Sequence, residues 1–149
     1  MVGCVRSIAV GREKGKPKKE RRAANLFEGH GLIEDVHAGP GHRHIGLISA
    51  DDFDRARAKF PELKPGSFAE NMIIDGLDFS RFRIGSRLRI GDVLLEIAER
   101  GKAEWKKGDY SYRGLALMAR KGLFARVLAG GRIRKGDGII LVEERPDKT

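Results

Sequence analysis

Residues 86–100 read SRLRIGDVLLEIAER. Leu88 and Ile90 alternate with Arg87 and Arg89, the period of two that puts one face of a strand inward and the other in water. Gly91-Asp92 breaks the run, and a second apolar strand follows it. Other segments read the same way: 2–10, 25–28, 44–49, 70–75, which ends at the turn pair Asp75-Gly76, and 137–144. Such strands must be paired, because an open edge offers unsatisfied backbone groups to any passing chain. Helices are fewer. Residues 50–60 follow Ser49, a suitable N-cap, and space Phe53, Ala56 and Phe60 on one face before Pro61. Residues 112–122 form a second helical candidate, with Leu115 and Met118 inward and Gly122 after it. The pattern predicts a mainly β domain with a few short helices, closed into a barrel so that no long edge remains.

A chain of 149 residues, 40% apolar and 34% charged, suits one domain over 1–149 with a well-solvated surface. No apolar run is long enough to span a bilayer, and no basic lead precedes an apolar stretch as in a signal peptide. The single cysteine, Cys4, excludes an internal disulfide and fits a reducing cytoplasm. Net charge is +9, and the stretch GREKGKPKKERR (11–22) holds seven basic and two acidic residues, or +5 of it. A charge run without apolar periodicity reads as a basic flexible loop that attracts anions such as phosphates, nucleotides or RNA.

All four histidines lie between His30 and His44. His37 follows Asp35 in a glycine-rich turn, and Arg43 and His44 lead into a strand. Imidazoles at 37, 42 and 44 have spacing that zinc accepts, but no zinc-type cysteine pair accompanies them, so no metal is assigned. Arg43 between a glycine turn and an apolar strand suits bidentate capture of phosphate or carboxylate. Equally, it suits a salt bridge to Glu34, Asp35 or Glu70. Glu70 and Asn71 follow Phe68 at a strand entrance, placed to orient a ligand or to hold His37 or Arg43. The stretch 101–114 holds Trp105, Tyr110 and Tyr112 among Lys102, Lys106 and Lys107. Such a mixture stacks a ring and neutralises phosphate, or packs its aromatics back on the domain.

Taken in order, these segments resemble the MOSC domain, the C-terminal domain of molybdenum cofactor sulfurases that also occurs as small stand-alone proteins. GHGLIEDVHAGPGHRHIGLI is similar to the family's Gly-Ile-x-Gly-Asp-x-His-x-Gly segment and the His-Arg that follows, through Asp35, His37, Gly39, His42 and Arg43. PGSFAENMIIDGLD matches Pro-Gly-x-Phe-x-Glu-Asn through Pro65, Gly66, Phe68, Glu70 and Asn71. IGSRLRIGDVLLEI and GLFARVLAGGRIRKGD resemble the family's strand pair and its closing segment. The likeness runs over roughly residues 2–144, and four motifs in order are specific where each alone is weak.

The resemblance implies a MOSC-type β-barrel and work around molybdenum cofactor (molybdopterin): cofactor binding, sulfur transfer or carriage, or cofactor-dependent reduction of N-hydroxylated compounds. It also implies a cofactor-handling protein as a partner. The family's usual cysteine falls at Glu104, with Trp105 at the neighbouring histidine, Gly108 near the later cysteine, and Glu34 at the glycine of Gly-Asp. Only a thiolate accepts sulfane sulfur or makes a soft bond to molybdenum. The expectation is therefore a protein that binds molybdenum cofactor, its pterin or another anionic small molecule through Asp35, His37, Arg43, Glu70, Asn71, Lys102 and Trp105. Glu104 and Cys4 are the candidates for any catalytic step. The competing expectation is a basic β-barrel that binds RNA or another phosphate-bearing partner without catalysis.

Overall fold

A computed structural model of the chain describes residues 2–39, 41, 43–101 and 110–142. Eleven strands and two short helices are defined among them. They are β1 (Val2–Val10), β2 (Lys19–Arg21), β3 (Ala23–Phe27), β4 (Gly31–Leu32), β5 (Ile45–Ser49), α1 (Ala50–Lys59), β6 (Met72–Asp75), β7 (Arg87–Ile90), β8 (Val93–Arg100), α2 (Leu117–Lys121), β9 (Leu123–Ala129), β10 (Gly131–Arg134) and β11 (Gly138–Val142).

Seven strands close a ring in the order β1-β11-β7-β8-β9-β5-β6 and back to β1. The expected mainly β barrel is therefore present. Its seam joins Val2 to Ile140 and Cys4 to Gly138. Every pairing in the ring is antiparallel except β5 with β6, which run parallel because α1 carries the chain back between them. A second sheet, β10-β3-β4, lies outside the ring, and its inward residues Leu26, Leu32 and Ile133 join the barrel core.

Alternation along the strands fills that core. Leu88 and Ile90 point in while Arg87 and Arg89 point out. Val5, Leu47, Met72, Leu95, Ile97 and Ala125 are wholly buried in the same cluster. Helix α1 starts as its sequence dictates: Ser49 Oγ accepts the Asp52 N–H, and Asp51 and Asp52 sit in the first turn where the helix dipole favours carboxylates. Its buried face, Ala50, Phe53 and Ala56, forms a second cluster on the outside of the barrel with Ile48, Phe68, Ile73, Leu117 and Met118. Among the described residues no helix is long and apolar enough to cross a membrane.

Two expectations differ from this architecture. The second helix spans only Leu117–Lys121, because Arg113 (φ 49°) and Gly114 (φ 88°) take left-handed conformations and Tyr112 bridges back to Leu115. The basic stretch 11–22 is loop only in its first half. Lys18 is buried at 4% exposure, and Lys19–Arg21 form β2, paired antiparallel to Ile8, Ala9 and Val10 at the end of β1.

Candidate functional site

The loop after β4 is wound around one carboxyl group. The Asp35 N–H donates to Leu32 O, the Val36 N–H to Gly11 O, and the Gly39 N–H to His30 O. These turns direct the Asp35 side chain inward, where its residue exposure is 6%. Four donors converge on it: Gly11 N at 3.1 Å, His37 N at 3.0 Å, Lys18 Nζ at 3.0 Å and Asn71 Nδ2 at 3.0 Å. Burial alone would raise its pKa, but hydrogen bonding from His37 and the charge of Lys18 overrule burial and hold it well below the usual carboxylate range. Burial also drives the Lys18 ammonium down from its ordinary value, against the pull of Asp35.

Position 34 enters this loop at φ 68°. Left-handed backbone there is the physical reason for a glycine in the Gly-Asp pattern, and Glu34 adopts it at a cost of about 1 kcal/mol. Its carboxylate takes Arg12 at 2.6 Å and Arg21 at 3.7 Å, which ties the basic stretch to the loop.

Asn71 is wholly buried and completes the lattice. Besides Asp35, its amide donates to Ala9 O at 3.0 Å, and its Oδ1 accepts the Gly46 N–H at 2.8 Å. One side chain thus joins β1, β5 and the Asp35 loop. Glu70, also wholly buried, braces a different loop by accepting the N–H groups of Gly66 at 2.6 Å and Phe68 at 3.0 Å. Burial outweighs those two bonds and pushes its carboxyl up to about 7. Gly66 (φ 92°) must be glycine, because a Cβ there would lie 2.0 Å from the Lys18 carbonyl oxygen. That close approach, with the Lys18 N–H donating to Gly66 O, is what carries Lys18 into the interior.

Beside this lattice lies a cavity of about 380 Å³. Its walls include Lys14, Lys18, His37, Arg43, Phe68, Glu99, Tyr110 and Phe124. His37 Nδ1 is 2.9 Å from Lys18 Nζ and 3.4 Å from Asp35 Oδ2. Nδ1 therefore faces both members of the buried pair: it accepts from the Lys18 ammonium in one tautomer and donates to Asp35 in the other. The His37 ring meets Phe124 edge-on, with centroids 5.7 Å apart. The Arg43 guanidinium lies over the same Phe124 ring, 4.7 Å from its centroid, and grips Glu99 with Nε at 2.9 Å and Nη2 at 2.5 Å. Tyr110 closes another side by donating to Ser67 O at 2.7 Å.

Five expected residues therefore meet in one region. His37 and Arg43 line the cavity, while Asp35, Glu70 and Asn71 stand behind it as buried braces. Arg43 makes a salt bridge, but to Glu99 and to none of the three carboxylates considered from sequence. Lys102, Glu104, Trp105 and His42 lie outside the described residues, although Gly101 and Tyr110 both line the cavity. Cys4, on β1 opposite Asp75 and Gly138, is not part of its wall. His44 is buried on the first turn into β5 and accepts the Val127 N–H at Nδ1. Among the described residues no three histidine, cysteine or carboxylate side chains gather as a metal ligand set. Lys18, Glu99 and Phe124 had no distinguishing sequence signal: one hid in a charge run and two in strands that close the barrel.

The model of one protein family, the MOSC domain, matches residues 34–140. The chain belongs to the MOSC domain family. Its matched region holds Asp35, His37, Arg43, Glu70 and Asn71 and most of the cavity wall, while Lys18, Gly11 and Ala9 of the lattice lie before it. A reductase from Gibberella moniliformis is 28% identical over 130 residues, which cover 76% of this chain and 23% of that protein. The chain thus spans about a quarter of that relative. Among solved structures, the YuaD protein from Bacillus subtilis superposes with a TM-score of 0.72 at 18% identity, covering 93% of this chain and 94% of that one. YiiM from Escherichia coli gives 0.65 at 20% identity over 98% of this chain and 73% of its own. At these identities the structural matches establish the shared MOSC fold.

Proposed function

We propose that the cavity binds molybdenum cofactor, or its pterin, as an anionic ligand carrying a planar ring, and that residues 1–149 act as one MOSC domain in a reducing cytoplasm. The observation that carries this reading is the His37–Phe124–Arg43 wall. It combines an imidazole, an aromatic ring and a guanidinium within one cavity. Lys14 and Lys18 add positive charge on the same walls. Family membership supports the choice of ligand.

The described residues fit one half of that cofactor and not the other. Cations suit its phosphate, and the His37 imidazole suits a polar edge of its ring. The metal-and-sulfur half asks for a thiolate, and the chain's single cysteine is not on this wall. The proposed role is therefore binding or carriage of the cofactor, with sulfur transfer outside it. When bound, the cofactor would supply the redox chemistry. This chain's residues would hold and orient it: His37 would hydrogen-bond to it, Arg43 would face the anion, and Tyr110 and Phe68 would wall the ring from water.

Titration of the purified protein with molybdenum cofactor and with its metal-free pterin tests this. Saturable binding is expected for both. Arg43→Ala should weaken it about tenfold or more, the scale of one hydrogen bond to a charged group. His37→Ala should weaken it severalfold. Binding that is absent, or equal in wild type and both variants, would remove the assignment.

A further inference from the structure

The outer face of the small sheet β10-β3-β4 carries a second set of residues that the cavity does not use. Directly opposed residues of antiparallel strands share a face. Arg132 stands opposite Asn25 and Arg134 opposite Ala23, while Phe27 follows Asn25 two residues on. Asn25, Phe27, Arg132 and Arg134 are all exposed, as the buried alternates Leu26 and Ile133 require.

Phe27 is 46% exposed, unusual for a phenylalanine in a sheet. Its neighbours explain why. Gly31 stands opposite it on β4. On the other side lies Gly130, where a Cβ would come within 2.5 Å of Leu26 O and 3.2 Å of the Phe27 Cα. The sheet therefore offers no side chain to cover either flank of the ring. Next to it is an open hollow of about 360 Å³ lined by Asn25, Phe27, Glu28 and Arg132. It shares no lining residue with the cavity of the candidate site.

Positive charge continues beyond the ring. Arg132 and Arg134 are two residues apart on one strand, about 7 Å along it. The Lys135 N–H donates to Arg22 O, which brings the far end of the basic stretch beside them. Carboxylates are present as well: Glu20 is 3.5 Å from Lys135, Asp137 accepts the Arg134 backbone N–H, and Glu28 lines the hollow. Among the described residues no carboxylate pairs with the side chains of Arg22, Arg132 or Arg134.

We propose that this face binds single-stranded nucleic acid, with an unpaired base stacked on Phe27 and successive phosphates met by Arg132, Arg134 and Arg22. Positive charge alone would suit any polyanion. The bare ring narrows the choice, because a flat aromatic surface stacks on bases that are not already stacked in a duplex. Two chain segments far apart in sequence form the site only through the β3–β10 pairing, so neither reveals it alone.

Fluorescence anisotropy of a labelled oligothymidylate, titrated with the full chain across a range of salt, tests the proposal. Binding should weaken with salt at a log–log slope of about −2, from roughly three phosphate contacts on a single strand. Phe27→Ala should lower affinity about tenfold without changing the slope, while Phe27→Trp should retain it. Gln at both 132 and 134 should make the slope shallower by about 1.4. Pterin binding in the cavity should be the same in Phe27→Ala as in wild type, so the two sites stand or fall separately. Equal affinity for duplex DNA of the same length, equal affinity for polyglutamate, a salt-independent response, or an unaltered Phe27→Ala variant would each overturn it.

Discussion

Asp35 and Glu70 are two buried carboxyl groups on adjacent loops, both within the field of Lys18, yet their proton affinities are displaced in opposite directions. Burial acts on both and favours the neutral acid. The difference lies in what faces each one. Asp35 has an ammonium at 3.0 Å, an amide and two backbone N–H groups. Glu70 receives the Gly66 and Phe68 N–H groups, with Lys18 acting on it by charge alone. Desolvation sets the penalty, and the count and charge of donors decide whether it is overcome. The same loops divide the labour of the cavity: one supplies the charged lattice behind His37, the other the wall of Phe68 and Ala69.

Removing the better-satisfied carboxylate should have the largest effect. Asp35→Ala leaves Lys18 charged and buried with its main partner gone, and should cost about 3–5 kcal/mol in urea unfolding. A loss under about 1 kcal/mol would show that the lattice does not depend on the ion pair and would break the comparison.

Glu70 sharpens it through pH. Its folded pKa, about 7, stands above the ordinary 4.5. Below 4.5 both folded and unfolded states hold the proton; between 4.5 and about 7 only the folded state does, so this contribution is lost as pH rises through that window. The total is about 3 kcal/mol. Asp35, displaced the other way, contributes stability that is present above its ordinary 3.8 and lost as pH falls below it. Thermal unfolding across pH should show the neutral-side decline in wild type, and Glu70→Gln should flatten it while leaving the acid limb. An unchanged decline in that variant would reassign it to another group.

The smallest effect should come at the mouth of the Asp35 loop. Glu34→Gly relieves left-handed strain of about 1 kcal/mol but gives up exposed ion pairs to Arg12 and Arg21 worth about as much. Stability should stay within about 0.5 kcal/mol of wild type, and a larger drop would show that tying down the basic stretch supports the lattice.

Much of the barrel was legible from local pattern. The Arg-Leu-Arg-Ile alternation, the Gly91-Asp92 break and the Ser49 cap each act within a few residues, and each gave its element. Strand β9 has no local signature, because LFARVLA mixes buried Leu123, Ala125 and Val127 with helix-compatible residues and its place depends on β5 and β8. The predicted strand 70–75 begins only at Met72: Glu70 turns inward to brace the Gly66–Phe68 loop, and Asn71 turns inward to tie β1, β5 and the Asp35 loop together. At the site, Asp35, His37, Glu70 and Asn71 were visible through motif order. Lys18 was not: a lysine among lysines has no mark of burial, and only the Gly66 approach selects it.

The seam of the barrel has a kinetic consequence. Val2 and Cys4 find Ile140 and Gly138, so the first strand waits for one of the last to be made. During synthesis on the ribosome the β7–β8 hairpin and α1 can form as they emerge, but the ring stays open. Until β11 arrives, β1 and β7 each present an unpaired edge, and the gain from closure comes only after a loop of nearly the whole chain has been ordered. Closure of this barrel is therefore expected to come slowly and only once β11 has been made, and the interval before it is when the barrel most needs protection from other chains.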